Sequence, residues 1–258
     1  GLVGSEMCIR DRNMNLLPKA NSWRKTILLY RFLRYRKGFG VHSPFAFSFI
    51  TKVVDERCKY YAYYDIELLR RQLMHSRCPV VKSDIKKSHG QLLFRIVNYF
   101  KPQKLIQVGA SAGIGTLYMT ASSSQLDYTV LGRSDESLKW TLWGLKKVHP
   151  KEKTGRLMAG DYQQNLTKAL KQAGTIDLLF LNVPEEKEKN WVYIDEALRH
   201  IHADSIFFIE GIRANKEMRK VWEDMCQRDE VAVTFDLYNV GIAFFNKRLY
   251  KQNYIVFF

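Results

Sequence analysis

Cysteine is scarce in this sequence, with four residues in 258, widely separated and without a C-x-x-C pair. Such spacing indicates neither a zinc site nor a disulfide framework, and it favours a reducing cytoplasm. Apolar runs are short as well, and none approaches the roughly 18 residues of a membrane-spanning helix. No internal repeat or low-complexity segment stands out. The chain is nevertheless 46% apolar, enough for one domain with a full core, or for a domain with a helical extension.

Acidic residues are few relative to basic ones. The sequence has 41 lysines and arginines against 26 aspartates and glutamates, which gives a net charge of +15. A surplus of this size attracts nucleic acid or an anionic lipid surface. Because no nucleic-acid motif accompanies it, we interpret the charge first as an ordinary basic, solvated surface.

The first twelve residues, GLVGSEMCIRDR, lack both helical and strand periodicity. They resemble translated sequencing-adapter read-through at the ends of metagenomic gene models, and we expect the natural protein to begin at Met14. The alternative is a genuine tail. We therefore divide the chain into a leader over 1–13, a helical N-terminal extension over 14–87 and an α/β domain over 88–258.

A strand, a glycine-rich turn and a helix are predicted by the central stretch KLIQVGASAGIGTLY, residues 104–118. An α/β sheet holds a cofactor with this unit, because glycine lets the backbone approach and helix N–H groups point at the ligand. The spacing excludes a dinucleotide fingerprint, which would need glycine in place of Ser111 and Ile114. It also excludes a phosphate-binding P-loop, which would need Gly-Lys at 114–115. A tight turn without a ligand is the alternative interpretation.

The remaining pattern, G-x-x-x-G-x-G after a strand, resembles the first motif of class I S-adenosylmethionine (SAM) methyltransferases. Three further pieces accompany it: RYRKGFGVHSPFAFSFIT (34–51), YYAYYDIELLR (60–70) and GQLLFRIVNYF (90–100). Together they resemble a family of predicted class I SAM-dependent methyltransferases common in Bacteroidetes-type bacteria, over about residues 23–258. The resemblance implies a fold and a cofactor class, and no particular substrate.

Strand and helix patterns alternate through the rest of the chain. They predict a doubly wound, mostly parallel Rossmann-like sheet with helices on both faces. The last 28 residues hold strand patterns and no helix pattern. With the family resemblance, this predicts seven strands ending in an antiparallel hairpin at the edge of the sheet.

A basic amphipathic helix is predicted over 21–37, with Asn21 or Ser22 as its cap. Its apolar stripe consists of Ile27, Leu28, Leu29, Phe32 and Leu33, and its charge comes from Arg24, Lys25, Arg31, Arg34, Arg36 and Lys37. We favour packing of the stripe against the domain. Binding of the basic face to nucleic acid or to an anionic surface is the alternative.

His42 lies just before Ser43 and Pro44, which begin the next predicted helix. It is a candidate for a substrate-facing base, because histidine exchanges protons near neutral pH. A structural histidine that bonds the turn is the interpretation we favour.

The resemblance also implies carboxylates at three strand ends, and this chain lacks all three. Gln107 stands where the family has an acid before the first glycine, and Asn182 stands where the fourth strand ends in Asp. Leu131-Gly132-Arg133 stands where an acid binds the ribose hydroxyls. An amide carries no charge, and an arginine cannot accept hydroxyl protons.

The site residues follow from the resemblance. Cofactor contacts are assigned to Gln107, Gly109, Ala110, Ser111, Gly113, Asp161 and Asn182. Asp161 would lie near the adenine amine, with a plain helix N-cap as the alternative. Candidates for catalysis are His42, Asn182 and Glu210. No metal is expected, because Asn182 and Glu210 supply only one carboxylate and one amide for a hard cation.

Three functions remain open at this point. The first is SAM-dependent methyl transfer to an unidentified acceptor, a small molecule in preference to a macromolecule. The second is a methyltransferase fold kept as a non-catalytic binding or scaffold protein, because three acids are missing from one face. The third is a nucleic-acid-associated methyltransferase or binder, although LNVPEE at 181–186 matches the NPPY-type motif of base methyltransferases poorly.

Overall fold

The computed structural model describes residues 20–35, 38, 40–76, 78, 81–122, 126–148, 155–183 and 189–258. The expected leader over 1–13 and the basic residues Arg36 and Lys37 lie outside the described residues. Within the described ranges, no helix is both long and apolar enough to cross a lipid bilayer.

Helices and strands alternate through most of the chain. The α-helices are α1 (Ala20–Arg34), α2 (Pro44–Phe49), α3 (Tyr61–His75), α4 (Lys87–Phe100), α5 (Ile114–Thr120), α6 (Asp135–Val148), α7 (Tyr162–Ala173), α8 (Asn190–Leu198) and α9 (Lys216–Gln227). A π-helical turn (Ile50–Val54) follows α2, and a 3₁₀ turn (Val81–Ser83) precedes α4. The strands are β1 (Lys104–Val108), β2 (Asp127–Gly132), β3 (Arg156–Ala159), β4 (Leu178–Leu181), β5 (Ile206–Glu210), β6 (Val233–Asp236), β7 (Val240–Phe244) and β8 (Gln252–Ile255).

These strands form one sheet in the order β3-β2-β1-β4-β5-β7-β6-β8. Strands β1 to β5 are parallel, β7 is antiparallel to both β5 and β6, and β8 is parallel to β6. The doubly wound, mostly parallel fold with an antiparallel hairpin near the edge is confirmed. The carboxyl ends of the parallel strands meet at one edge of the sheet, where open α/β sheets bind their ligands.

The sheet has eight strands and not the seven that were predicted. The chain after β7 turns back and adds β8 outside β6. The Tyr254 ring stacks on Phe235 at 5.3 Å between centroids, and Thr234 Oγ1 donates to Asn253 Oδ1 at 2.7 Å. These contacts hold β8 against β6, so the β6–β7 hairpin is not the edge of the sheet and β8 is.

Both faces of the sheet are buried. Because side chains alternate along a strand, Phe207 packs with α7, α8 and α9, while its neighbour Phe208 enters the core formed with α2 to α6. All four residues of β4 are buried, as expected for an apolar strand covered on both faces. Phe49 of α2 reaches the same core and lies 4.5 Å from Phe235 between ring centroids.

Helix α1 forms where the sequence predicts it, but its apolar stripe does not pack as expected. Ile27 and Leu28 are half-buried, whereas Leu29 and Leu33 are 59% and 72% exposed. Of the α1 side chains that the structure describes, Arg31 is the buried one: it is 5% exposed and pairs with Asp236 at the end of β6. The expectation that the whole stripe packs on the domain is therefore wrong for Leu29 and Leu33.

Candidate functional site

The predicted glycine turn joins β1 to α5 at the carboxyl edge of the sheet. Gly109 and Gly113 have φ values of +94° and +86°, a region that glycine enters without strain. A Cβ at Gly109 would overlap the carbonyl oxygen of Asn182, and a Cβ at Gly113 would lie 2.6 Å from the Cα of Thr141. Both glycines are therefore required by close packing against β4 and α6, whether or not a ligand binds.

Gln107 occupies the position at which the resemblance implies an acid, and its amide is used inside the chain. Its Nε2 donates to the Gly109 carbonyl at 3.1 Å, and its Oε1 accepts from Thr116 Oγ1 at 2.7 Å. The side chain is 2% exposed. An ionised glutamate only accepts, so it could not make the bond to the Gly109 carbonyl. Glutamine thus ties the end of β1 to both the turn and α5.

A carboxylate that the sequence reasoning missed closes the glycine turn. Asp84, between the 3₁₀ turn and α4, accepts from the backbone N–H groups of Ala112 and Ile114 through Oδ2, at 2.9 and 3.0 Å. Its Oδ1 accepts from Ile85 and Gly115, at 2.7 and 3.2 Å. Burial raises the pKa of Asp84, while these N–H donors act in the opposite direction.

Other donors of the turn also have partners within the protein. The N–H groups of Gly109 and Ala110 both donate to the Leu131 carbonyl at 3.0 Å. Ala110 and Ser111 are only 5% and 6% exposed. The turn that sequence reasoning assigned to a ligand is thus bonded to β2 on one side and to Asp84 on the other.

The ends of β2 and β3 carry more exposed groups. Arg133 is exposed, and its guanidinium carbon lies 5.8 Å from the centroid of the Tyr162 ring. Asp161 is also exposed and caps α7, since its Oδ1 accepts from the Gln164 N–H at 2.9 Å. The N-cap interpretation of Asp161 is confirmed. Its contact with a cofactor remains a prediction.

A histidine–glutamate pair lies at the end of β5. His89 Nδ1 is 2.7 Å from Glu210 Oε1, and His89 is 5% exposed. The second oxygen, Glu210 Oε2, is buried and has no hydrogen-bond partner among the residues that the structure describes. Asn182 lies beside Glu210, because Leu181 and Ile209 are paired in the β4–β5 register and each is followed by one of these residues.

The histidine singled out in the sequence, His42, is not the one that pairs with Glu210, and its role stays a prediction. His42 is exposed, immediately before Ser43, whose Oγ accepts from the Ala46 N–H at 3.4 Å. His89 was not among the candidates named from the sequence. It lies in the first turn of α4, which begins at Lys87.

The predicted site residues are distributed along one edge of the sheet. Gln107, Gly109 and Asn182 are brought together where β1 and β4 end, and Glu210 follows at β5. Asp161 lies on the other side of β1 from Glu210, after β3. In the part of the chain that the structure describes, no group of three or more His, Cys, Asp or Glu side chains is placed to hold a metal ion.

Known proteins resemble the chain in fold. No family model matches the sequence, and no curated protein matches it significantly. An O-methyltransferase from Bacillus cereus in complex with SAH aligns with a TM-score of 0.60 and 14% identity, covering 74% of this chain and 93% of that chain. SAH-bound methyltransferase PaMTH1 from Podospora anserina gives 0.60 and 13%, covering 89% and 98%. The O-methyltransferase TomG from Streptomyces achromogenes, in complex with SAM, gives 0.56 and 11%, covering 73% and 91%. At these identities the likeness shows the fold.

Proposed function

We propose that the chain is a SAM-dependent methyltransferase that acts on a small molecule with an ionisable N–H or O–H group. The observation that carries the proposal is the His89–Glu210 pair at the carboxyl edge of the sheet. The fold supports it, since the similar solved structures described above are methyltransferases bound to SAM or SAH.

The residues present fit SAM in part. In the described part of the chain, nothing bonds to the buried carboxylate oxygen Oε2 of Glu210, and such an atom favours a cationic or hydrogen-donating ligand beside it. Asp161 uses one oxygen in its cap, which leaves the other for an amine. Against this, both the nitrogen and the oxygen of the Gln107 amide already bond within the protein, and Arg133 cannot accept ribose hydroxyl protons. Asp161 and Asn182 would hold the cofactor, with weaker binding than a full set of acids gives.

The chemistry needed from the protein is modest. SAM, when bound, supplies an activated methyl group on a sulfonium. The chain must align the acceptor, exclude water and remove a proton from it. A carboxylate oxygen only accepts, so the bond to Glu210 places the shared proton on Nδ1 of His89 and leaves the Nε2 lone pair to accept a proton. Glu210 then fixes the ring and stabilises the imidazolium that forms, as the acid does in other histidine–carboxylate pairs.

Calorimetric titration with SAM and with SAH tests the cofactor assignment. We expect saturable binding that weakens in Asp161→Asn, a variant that retains a capping side chain while removing the charge. The matched control is Asp224→Asn, an exposed acid on α9. Transfer of a radiolabelled methyl group across a panel of amines, phenols and carboxylic acids then tests the reaction.

One observation favours a second function, that of a non-catalytic binding or scaffold protein. The N–H groups of Gly109, Ala110, Ala112, Ile114 and Gly115 all bond within the chain, as does the amide of Gln107. Donors that already bond within the protein add less binding free energy when a ligand enters the site. If a cooperatively folded sample gives no heat with either SAM or SAH, the methyltransferase proposal fails and this second function is supported.

A further inference from the structure

The outer face of α1 is apolar, although the helix belongs to a strongly basic chain. Leu29 and Leu33 lie four residues apart and therefore on one side of the helix. They are 59% and 72% exposed, and the neighbouring Tyr30 and Phe32 are 58% and 38% exposed. We call these four side chains the α1 outer face. Contiguous exposed apolar side chains of this kind mark an interaction site.

This exposure is fixed by buried contacts on the opposite side of α1. Arg31 Nη1 donates to Asp236 Oδ1 at 3.0 Å and to the Asp236 carbonyl at 3.2 Å. Just beyond the end of α1, the Phe257 N–H donates to the Tyr35 carbonyl at 3.0 Å. At the border of the α1 outer face, the Phe32 ring also contacts the ring of Phe257, at 5.3 Å between centroids. Because the buried side of α1 is an arginine in an ion pair, the helix cannot turn its leucines inward without breaking that pair.

Basic residues border the α1 outer face. Lys25 and Arg34 are both exposed, near the two ends of the helix. The sequence of α1, ANSWRKTILLYRFLR, contains no acidic residue. The α1 outer face thus combines apolar and aromatic side chains with positive charge at each end.

We propose that α1 docks on an anionic lipid surface, lying in the plane of the headgroups with its outer face toward the acyl chains. Leucine and aromatic side chains leave water at such a boundary, while lysine and arginine reach the negative phosphates. The net charge of +15 adds a long-range attraction to the same surface. The inference does not depend on the proposed function.

Two other occupants match the face less well. A second copy of the chain would bring the same basic residues opposite Lys25 and Arg34, with no acid on α1 to pair with them. A nucleic acid would match the charge, but it recognises by phosphate contacts, base edges and stacking, and exposed leucines supply none of these. A lipid surface uses both the apolar and the basic side chains.

Vesicle co-sedimentation tests the proposal with the full chain. We expect binding to phosphatidylcholine vesicles that contain phosphatidylglycerol, and little binding to phosphatidylcholine alone. The double variant Leu29→Ser/Leu33→Ser should lower the affinity about tenfold or more, because both leucines lose their apolar contact with lipid. The matched control is Leu68→Ser on α3, whose leucine is also exposed, at 41%, and which should bind like the parent.

The charge is tested separately with Lys25→Glu/Arg34→Glu, which should abolish the preference for phosphatidylglycerol while leaving the apolar face intact. Circular dichroism and cooperative thermal unfolding establish that each variant is folded. Equal affinity of the parent for both kinds of vesicle would overturn the proposal. So would a concentration-dependent dimer that is lost in Leu29→Ser/Leu33→Ser, or RNA binding that the leucine changes leave intact while lipid binding is absent.

Discussion

His89 and Glu210 are 121 positions apart in the sequence, yet His89 Nδ1 lies 2.7 Å from Glu210 Oε1. The pair joins the first turn of α4 to the last residue of β5. Because β5 runs parallel to β4 and β1, its last residue lies at the same edge of the sheet as the glycine turn that follows β1. The pair therefore lies at that edge. The buried imidazole of His89 has the carboxylate as its partner, whereas the second oxygen, Glu210 Oε2, is buried with no hydrogen-bond partner within the described ranges.

Replacing His89 by Gln should separate proton removal from cofactor binding. We expect methyl transfer to an acceptor found in the panel to fall about 100-fold, because the base is lost. The affinity for SAH should stay unchanged, because His89 is not assigned to the cofactor. The control is His42→Gln, which changes the exposed histidine and should leave the rate unchanged. If the rate falls in His42→Gln and is unchanged in His89→Gln, the base is His42 and not His89.

Two glycines with positive φ, Gly109 in the glycine turn and Gly174 at the end of α7, allow backbone strain and steric overlap to be measured separately. Gly109→Ala places a Cβ on the carbonyl oxygen of Asn182 at φ +94°, whereas Gly174→Ala has φ +75° and open space around the Cβ. We expect Gly174→Ala to cost about 1–3 kcal/mol, from its sparsely populated backbone conformation alone. Gly109→Ala should cost more than about 4 kcal/mol, since β4 must also move. Urea unfolding measures both, and equal losses would show that the overlap is relieved.

Sequence reasoning located the elements where the signals are local. The strand, glycine-rich turn and helix predicted over 104–118 are confirmed as β1, the turn at Gly109 and Gly113, and α5. The strands fit because an apolar run covered on both faces is recognisable by itself. The eighth strand was missed because its pairing with β6 depends on a turn after β7.

The site could not be predicted to the same extent, because its bonds connect distant parts of the chain. No spacing rule relates Asp84 to the N–H groups of residues 112–115, since the contact depends on the path of the 3₁₀ turn before α4. Glycine spacing did find the turn, but it could not show that the turn would be bonded internally. The stripe on α1 indicated an apolar face, and it gave no information on whether Arg31 would be the buried side chain.

Gln107→Glu tests whether the missing acid at the end of β1 can be restored. The substitution should destabilise the protein by about 1–3 kcal/mol, because the Gly109 carbonyl loses its donor and a carboxylate is placed beside it in a buried position. It should not strengthen SAM binding, since the side-chain oxygen at this position already accepts a hydrogen bond from the Thr116 hydroxyl. Thermal unfolding and calorimetry with SAM measure the two effects. Tighter binding in Gln107→Glu at unchanged stability would show instead that the position faces the cofactor.

Asp236 links α1, β6 and the segment after β5, and it should make the stability of the protein depend on pH. Burial would raise the pKa of Asp236, but hydrogen bonds and charge from Arg213 and Arg31 outweigh it, so the pKa is lowered. A carboxyl whose pKa is lower in the folded state stabilises that state above its unfolded value of about 3.9. The stabilisation is lost as the pH falls through the lower folded value.

Asp236→Asn removes this contribution. Above about pH 5 the variant should be less stable than the parent by about 3 kcal/mol, because two arginines lose the charge that they pair with. The difference should shrink as the pH falls below about 4, because Asp236 of the unfolded parent then takes up a proton while the folded parent still keeps its carboxylate charged. Urea unfolding at a series of pH values measures this difference, and the effects of other acids cancel because both proteins contain them.

Asp127→Asn is the control, since Asp127 pairs with Arg156 at 2.9 Å on the surface and its loss should cost less than about 1 kcal/mol. A difference between parent and Asp236→Asn that stays constant down to the lowest pH would mean that the pair stabilises α1 by shape and hydrogen bonding, without a contribution from the carboxylate charge.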